Sequence, residues 1–208
     1  MESHDTYKSI FRSLELTVDL EVIAKIEKFV LLLRKWNSRI NLISTNEWSL
    51  IKILLQEGLW ASKFYPGSSN THLDIGSGAG FPVIPIKILN PNVKMDLVDS
   101  RLKRISFLET IARELNISHI QAHHNRIGQF LESKKLVWDC ISWKALKVKN
   151  KDLFALVEHS HSKTQFWIFH GKELAVESPQ EMQKILQLIR KEQFPYKSEW
   201  MLSIYLPK

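Results

Sequence analysis

The sequence predicts an α/β fold: a mostly parallel, doubly wound sheet preceded by a helical extension. Three observations predict it. From residue 71 onward, short apolar runs alternate with amphipathic stretches, as in consecutive βαβ units. The first third instead repeats its apolar residues at three- and four-residue steps, the helical period. Where the two patterns meet, a strand-like run passes through a glycine-rich turn into a helix, as in sheets that bind ligands at their strand ends.

The elements follow in order. A first helix is expected over about residues 4–16. A second is expected over 19–36, where Val22, Ile23, Ile26, Phe29, Val30, Leu33 and Trp36 form one stripe and Asp19 is placed to cap it. A third covers about 46–64 and stops at Pro66-Gly67. Strands are then expected at 72–75, 93–98, 117–122, 137–142, 165–169 and 199–206. Between them lie helices at 82–89, 101–115, 127–133 and 152–160, with a last one at 179–191. No stretch is rich enough in Pro, Gly or Ser to divide the chain into freely moving domains. The division expected is a helical cap, 1–66, packed on a Rossmann-like domain, 67–208.

Composition narrows the class. The chain has 208 residues, 44% hydrophobic and 25% charged, which suits a globular protein. No apolar run reaches the roughly 18 residues of a membrane span, and the first residues lack a signal-peptide pattern, so a cytoplasmic protein is expected. One cysteine, Cys140, excludes an internal disulfide and a cysteine-built metal site; its apolar flanks place it in a buried strand. His123-His124 and His159-x-His161 have spacings a metal tolerates, but no cysteine or HExxH supports them, and no metal is expected. The net charge of +7 permits a polyanionic partner without proving one.

The run His72-Leu73-Asp74-Ile75-Gly76-Ser77-Gly78-Ala79-Gly80-Phe81-Pro82 is the most informative. Its glycines allow a tight turn and a close backbone approach by a ligand. The third glycine falls one residue earlier than in the dinucleotide fingerprint, and Asp74 sits two residues before the first. This favours S-adenosylmethionine over NAD. Asp74 is placed to reach the ammonium group of such a cofactor, or merely to order the loop. Gly76, Ser77, Gly78, Gly80 and Phe81 follow it. Asp99 ends the next strand, where a carboxylate can accept ribose hydroxyls or cap the helix at Arg101; Ser100 is an equally good cap.

Beyond these readings, Trp36-Asn37-Ser38-Arg39-Ile40-Asn41-Leu42-Ile43, the loop LDIGSGAGFPVIPIKI at 73–88 and LVDSRLKRISFL at 97–108 are similar to signatures of the RsmG/GidB family. That resemblance implies a class I methyltransferase core with an N-terminal helical cap. It also implies methyl transfer from S-adenosylmethionine to guanine N7 in small-subunit (16S) ribosomal RNA. Carried onto this chain, the family's cofactor contacts fall on Gly76, Phe81, Ile127-Gly128 and Lys144, with Asp99 near the adenosine. The chain departs from the family at four places. Gly128 stands where a carboxylate is usual, and Lys144 where arginine is. Lys52-Ile53-Leu54-Leu55-Gln56 replaces a His-x-x-Asp-Ser pattern, and His170-Gly171 replaces lysine-glycine.

Guanine N7 is already a nucleophilic lone pair, so the reaction needs no general base, and positioning plus charge stabilisation suffice. No catalytic residue is singled out firmly; Lys144 and Arg126 are candidates for orienting substrate or cofactor. Basic groups cluster at Arg34-Lys35-Arg39, at Arg101-Lys103-Arg104 and at Lys144-Lys147-Lys149-Lys151. Trp143 stands beside the last, placed to stack on a base or to fill the core. The expected partner is ribosomal RNA or the small ribosomal subunit, the expected state a monomer. A methyltransferase for another RNA or a small molecule, and a non-catalytic RNA- or ribosome-binding relative, stay open.

Overall fold

The computed structural model describes residues 2–67, 70–133 and 136–208. Three helices open the chain: α1 (His4–Ser13), α2 (Leu20–Asn37) and α3 (Trp48–Ala61). Asp19 caps α2 as its sequence position implies, accepting the Val22 N–H at 2.8 Å. The alternating segment follows as β1 (Thr71–Ile75), α4 (Val83–Leu89), β2 (Lys94–Asp99), α5 (Leu102–Glu114), β3 (Ile120–His124) and α6 (Ile127–Glu132). It continues as β4 (Cys140–Lys144), α7 (Asn150–Glu158), β5 (Gln165–His170), α8 (Pro179–Ile185), β6 (Leu186–Gln193) and β7 (Met201–Pro207).

The seven strands form one sheet in the order β3-β2-β1-β4-β5-β7-β6. The first five run parallel; β7 inserts antiparallel beside β5, and β6 antiparallel beside β7. Strand order reverses between β1 and β4, and open α/β sheets bind ligands outside the carboxyl ends of the strands at such a point. Two cores flank the sheet. One joins Leu73, Ile141, Ile168 and α6–α8. The other runs without a break from α1–α3 through α4 and α5, so the first helices bury their stripes against the sheet domain. The rings of Phe29 and Phe81 meet at 5.2 Å, and those of Trp36 and Phe107 at 5.8 Å.

Three expected elements differ. The helix expected over 179–191 stops at Ile185, and residues 186–193 pair with β7 instead. Its apolar spacing fits a helix, but the free edge of β7 supplies a ladder of backbone hydrogen bonds, and tertiary pairing overrides weak local preference. The strand expected at 137–142 begins at Cys140 and ends at Lys144: Val137 is exposed, and the ladder with β1 starts at the His72–Cys140 pair. The strand expected at 117–122 begins at Ile120, because Asn116 and His119 adopt left-handed φ of 49° and 56° that break an extended run. Cys140 is wholly buried, as its flanks imply.

Candidate functional site at the sheet switch point

A cleft of about 640 Å³ opens at the carboxyl ends of β1, β2 and β4. Its floor is the glycine loop. Gly76, Gly78 and Gly80 have φ of 70°, 53° and 78°, a region L side chains rarely adopt. The Gly76 N–H donates to the Val98 carbonyl at 2.7 Å, tying the loop to β2. Asp99, almost fully buried, then clamps it: Oδ2 accepts the Gly78 N–H at 3.0 Å and an Arg104 N–H at 3.2 Å, while Oδ1 accepts the Arg101 N–H at 2.9 Å. Asp99 thus holds the turn that enters α5 as well as the loop. Gly76, Ser77, Gly78, Phe81, Asp99, Ser100, Arg126, Ile127 and Lys144 all line the cleft.

Three other expected residues lie elsewhere. Gly80 packs away from the opening, where an added Cβ would come within 2.5 Å of Ile84 Cγ1. Gly128 sits one residue inside α6, its missing side chain directed at Asp152 Oδ1. Asp74 lies beneath the loop, 3% exposed, and is the end of a buried relay. Its Oδ1 accepts the Ser142 hydroxyl; Ser142 Oγ faces His72 Nε2 at 2.8 Å, and His72 Nδ1 faces the Tyr65 hydroxyl at 3.3 Å. One proton arrangement satisfies all three contacts, with Tyr65 donating to Nδ1, Nε2–H donating to Ser142, and Ser142 donating to Asp74. Burial pushes the Asp74 carboxyl up to about 7 against the hydrogen bonds of Ser142 and Ser77, with Asp99 nearby adding to the rise. Burial holds His72 neutral, its pKa lowered to about 3.

At the tip of β4, the Lys144 ammonium donates to the Glu57 carboxylate of α3 and stands 4.3 Å from the Trp200 ring centre. Burial pushes the Glu57 carboxyl up, and the Lys144 charge opposes the rise. Ala145, next in the chain, has a left-handed φ of 52°. Trp143 is wholly buried and donates to the Ala175 carbonyl at 2.9 Å, so it fills the core and cannot stack on a base. Of the expected basic groups, Arg104 is engaged by Asp99, and Arg34 donates to both oxygens of Glu2. His123 faces Asp96, and His161 faces Asp139.

Sequence reasoning gave no role to the cleft's outer wall, which comes from the helical cap. Leu42 and Ile43 reach it from the loop after α2, and Leu54 from α3. Asn37 places the first two: its Oδ1 accepts the Leu42 and Ile43 N–H groups at 2.8 and 2.9 Å. The signal was present in the Trp36–Ile43 run, whose asparagine is a backbone cap rather than a contact. Glu57 carries a weaker signal, a carboxylate within the mostly apolar second half of α3.

A parallel sheet reversing between β1 and β4, an antiparallel seventh strand and a glycine loop closed by an acid at the tip of β2 define the class I S-adenosylmethionine-dependent methyltransferase fold. Solved methyltransferases share that fold at low identity. The ribosomal protein L11 methylase from Lactobacillus delbrueckii subsp. bulgaricus matches with a TM-score of 0.52 at 15% identity, over 80% of this chain and 81% of that one. The CcbJ methyltransferase from Streptomyces caelestis matches with 0.55 at 13%, over 73% and 89%. The chain belongs to the GidB family, rRNA small subunit methyltransferase G, whose sequence profile matches residues 22–201. Relatives called ribosomal RNA small subunit methyltransferase G include one from Geobacillus, 34% identical over 58% of this chain and 51% of its own length. One from Desulfitobacterium hafniense is 38% identical over 59% and 53%. The chain spans about half the length of the curated relatives it matches.

Proposed function

We propose that this chain binds S-adenosylmethionine in the switch-point cleft and methylates guanine N7 in small-subunit ribosomal RNA. One observation carries the reading: the glycine loop and Asp99 form a single hydrogen-bonded unit on the cleft floor of a chain from this family.

The residues present suit the cofactor. A Cβ on Gly76 would lie 3.1 Å from Leu146, and one on Gly78 would lie 3.5 Å from Arg104, so the loop keeps bare backbone where a ligand must approach closely. A carboxylate offers about four acceptor sites. Asp99 uses three of them on Gly78, Arg101 and Arg104, leaving one for a ribose hydroxyl and another if Arg104 turns away. Phe81, Ser100 and Ile127 border the same space. When bound, the cofactor supplies an activated methyl group. Leu42, Ile43, Leu54 and Leu146 keep water from the far wall, which strengthens every charge interaction inside. Lys144 and Arg126 hold positive charge at the rim, where they orient substrate or cofactor. Beyond the rim, Lys147, Lys172 and Lys191 border a wider groove of about 800 Å³, shared with Glu173 and Glu177, where the lysines can meet RNA phosphates. The partner is the ribosomal RNA or the small subunit, met in the cytoplasm by a single copy of the chain.

Calorimetric titration with S-adenosylmethionine and, separately, NAD tests the cofactor. Transfer of a labelled methyl group to small-subunit RNA tests the reaction. Micromolar binding of S-adenosylmethionine alone, followed by labelling at one guanine, is expected. Absence of cofactor binding overturns the reading.

A further inference from the structure

The cleft does not end at Lys144. Lys144 and Ala145 also border a smaller cavity of about 300 Å³, which Glu57, Phe169, His170 and Trp200 help to close. Ala145 holds its strained left-handed φ at the junction of the two spaces, and strained backbone concentrates at functional sites.

Glu57 is the unusual member. It sits on α3 with only 3% of its surface exposed, next to a Gln56 that is 4% exposed. A buried carboxylate is costly to stability, and a hydrophobic residue of like volume in its place is often neutral or better. Lys144 donates to its Oε2; among the described residues, no donor reaches Oε1. Oε1 is not among the sealed atoms of the core, and Glu57 lines the cavity beside the cofactor cleft, so the acceptor left over is open to that space.

We infer that this cavity seats the guanine that receives the methyl group, with Glu57 accepting hydrogen bonds from the N1–H and N2–H donors of its Watson–Crick edge. The inference rests on the methyltransferase reading. Enzymes that modify a base read it in a pocket with apolar walls and polar groups on its Watson–Crick edge. Guanine presents two adjacent N–H donors there, a pair a carboxylate can accept. Adenine presents one donor beside the N1 lone pair, which a carboxylate repels. Phe169, Ala175 and Trp200 supply the apolar walls. Guanine methylated at N7 carries a positive charge that the unmodified base lacks, so a buried carboxylate favours the methylated form over its precursor. The Lys144 charge opposes the rise that burial imposes on this carboxyl, and its contact with Oε2 leaves Oε1 to the base.

The test uses the full chain with S-adenosylhomocysteine present and compares the binding of AMP, GMP and 7-methyl-GMP by ligand-observed NMR. One charge-assisted hydrogen bond corresponds to about a tenfold change in affinity. The expected order is 7-methyl-GMP about tenfold tighter than GMP, and GMP about tenfold tighter than AMP. Glu57→Gln removes the preference for the methylated nucleotide, and Glu57→Asp retains a fraction of it. Equal binding of the three nucleotides to the wild type overturns the inference, as does an unchanged ranking in Glu57→Gln. If Glu57→Gln does not fold, the wild-type ranking decides, together with Trp200→Leu, which weakens all three nucleotides and keeps their order. The separate titration with S-adenosylhomocysteine decides the underlying reading. Cofactor binding with a flat ranking sinks only the guanine pocket; the ranking without cofactor binding sinks only the methyltransferase.

Discussion

Asp99 accepts the Gly78 N–H and the Arg104 guanidinium on the same oxygen, Oδ2, so the shape of the glycine loop and the position of Arg104 are set by one buried atom. Asp99→Ala removes three hydrogen bonds and leaves the Gly78 N–H without its partner. Losing a charged acceptor costs about 1.5–3 kcal/mol for each bond. Cofactor affinity is expected to fall at least tenfold, read by calorimetry, with a lower urea midpoint. An unchanged affinity would remove Asp99 from the site.

Two glycines of the same loop should answer differently to substitution. Gly76→Arg puts a long side chain into the cleft beside Leu146 at a φ of 70°, and abolition of cofactor binding is expected. Gly80→Ala forces a Cβ to within 2.5 Å of Ile84 Cγ1 at a φ of 78°. Its cost is stability, roughly 1–3 kcal/mol, or several degrees in Tm. A thermal melt and a titration on each variant separate the two. Equal losses of affinity with no loss of Tm would contradict the division of roles.

The Lys144–Glu57 pair joins β4 to α3 across 87 positions of sequence. Lys144→Met strands a buried carboxylate, a change that typically costs about 3–5 kcal/mol. The double variant Lys144→Met, Glu57→Gln removes both charges and should recover most of that loss. Urea unfolding of the two single variants and the double variant closes the cycle. Strict additivity would show that the two side chains do not interact.

Buried His72 and Asp74 tilt stability with pH in opposite directions. The unfolded chain protonates His72 near 6.5, whereas the folded protein resists until about 3, so the wild type loses stability as pH falls through that window. Asp74 ionises near 3.8 when unfolded and near 7 when folded, so the wild type loses stability as pH rises between those values. From about 4 to 6.5 the two slopes oppose each other. Relative to the wild type, His72→Gln should therefore gain stability as pH falls below 6.5. Asp74→Asn should gain as pH rises from about 4 to 7. Each relative slope reaches at most about 1.4 kcal/mol per pH unit. Urea midpoints across that range check both signs.

What the sequence shows of this site is what adjacent residues determine. The turn at Gly76–Gly80 and the acid at Asp99 are read from spacing, because a strand, a tight turn and a helix N-terminus constrain consecutive positions. The apolar stripe of α2 is legible for the same reason, down to its Asp19 cap. Residues 186–193 are not, because Leu186, Leu188 and Ile189 suit either period, and the choice is made by the distant edge of β7. Trp143 and Lys144 are neighbours with opposite fates, one walled into the core and one at the cleft rim, and only the true end of β4 separates them. Glu57 is hidden for a related reason: its partner lies 87 positions away, beyond the reach of any local pattern.

Asn37 and the stripe it terminates also bear on how the chain is made. Phe29 and Trp36 leave the ribosome well before Phe81 and Phe107, the rings that cover them. Part of the apolar face of α2 is thus covered only by α4 and α5, which follow it in the chain. The wall that Asn37 builds over the cleft therefore rests on rings that later segments of the chain supply.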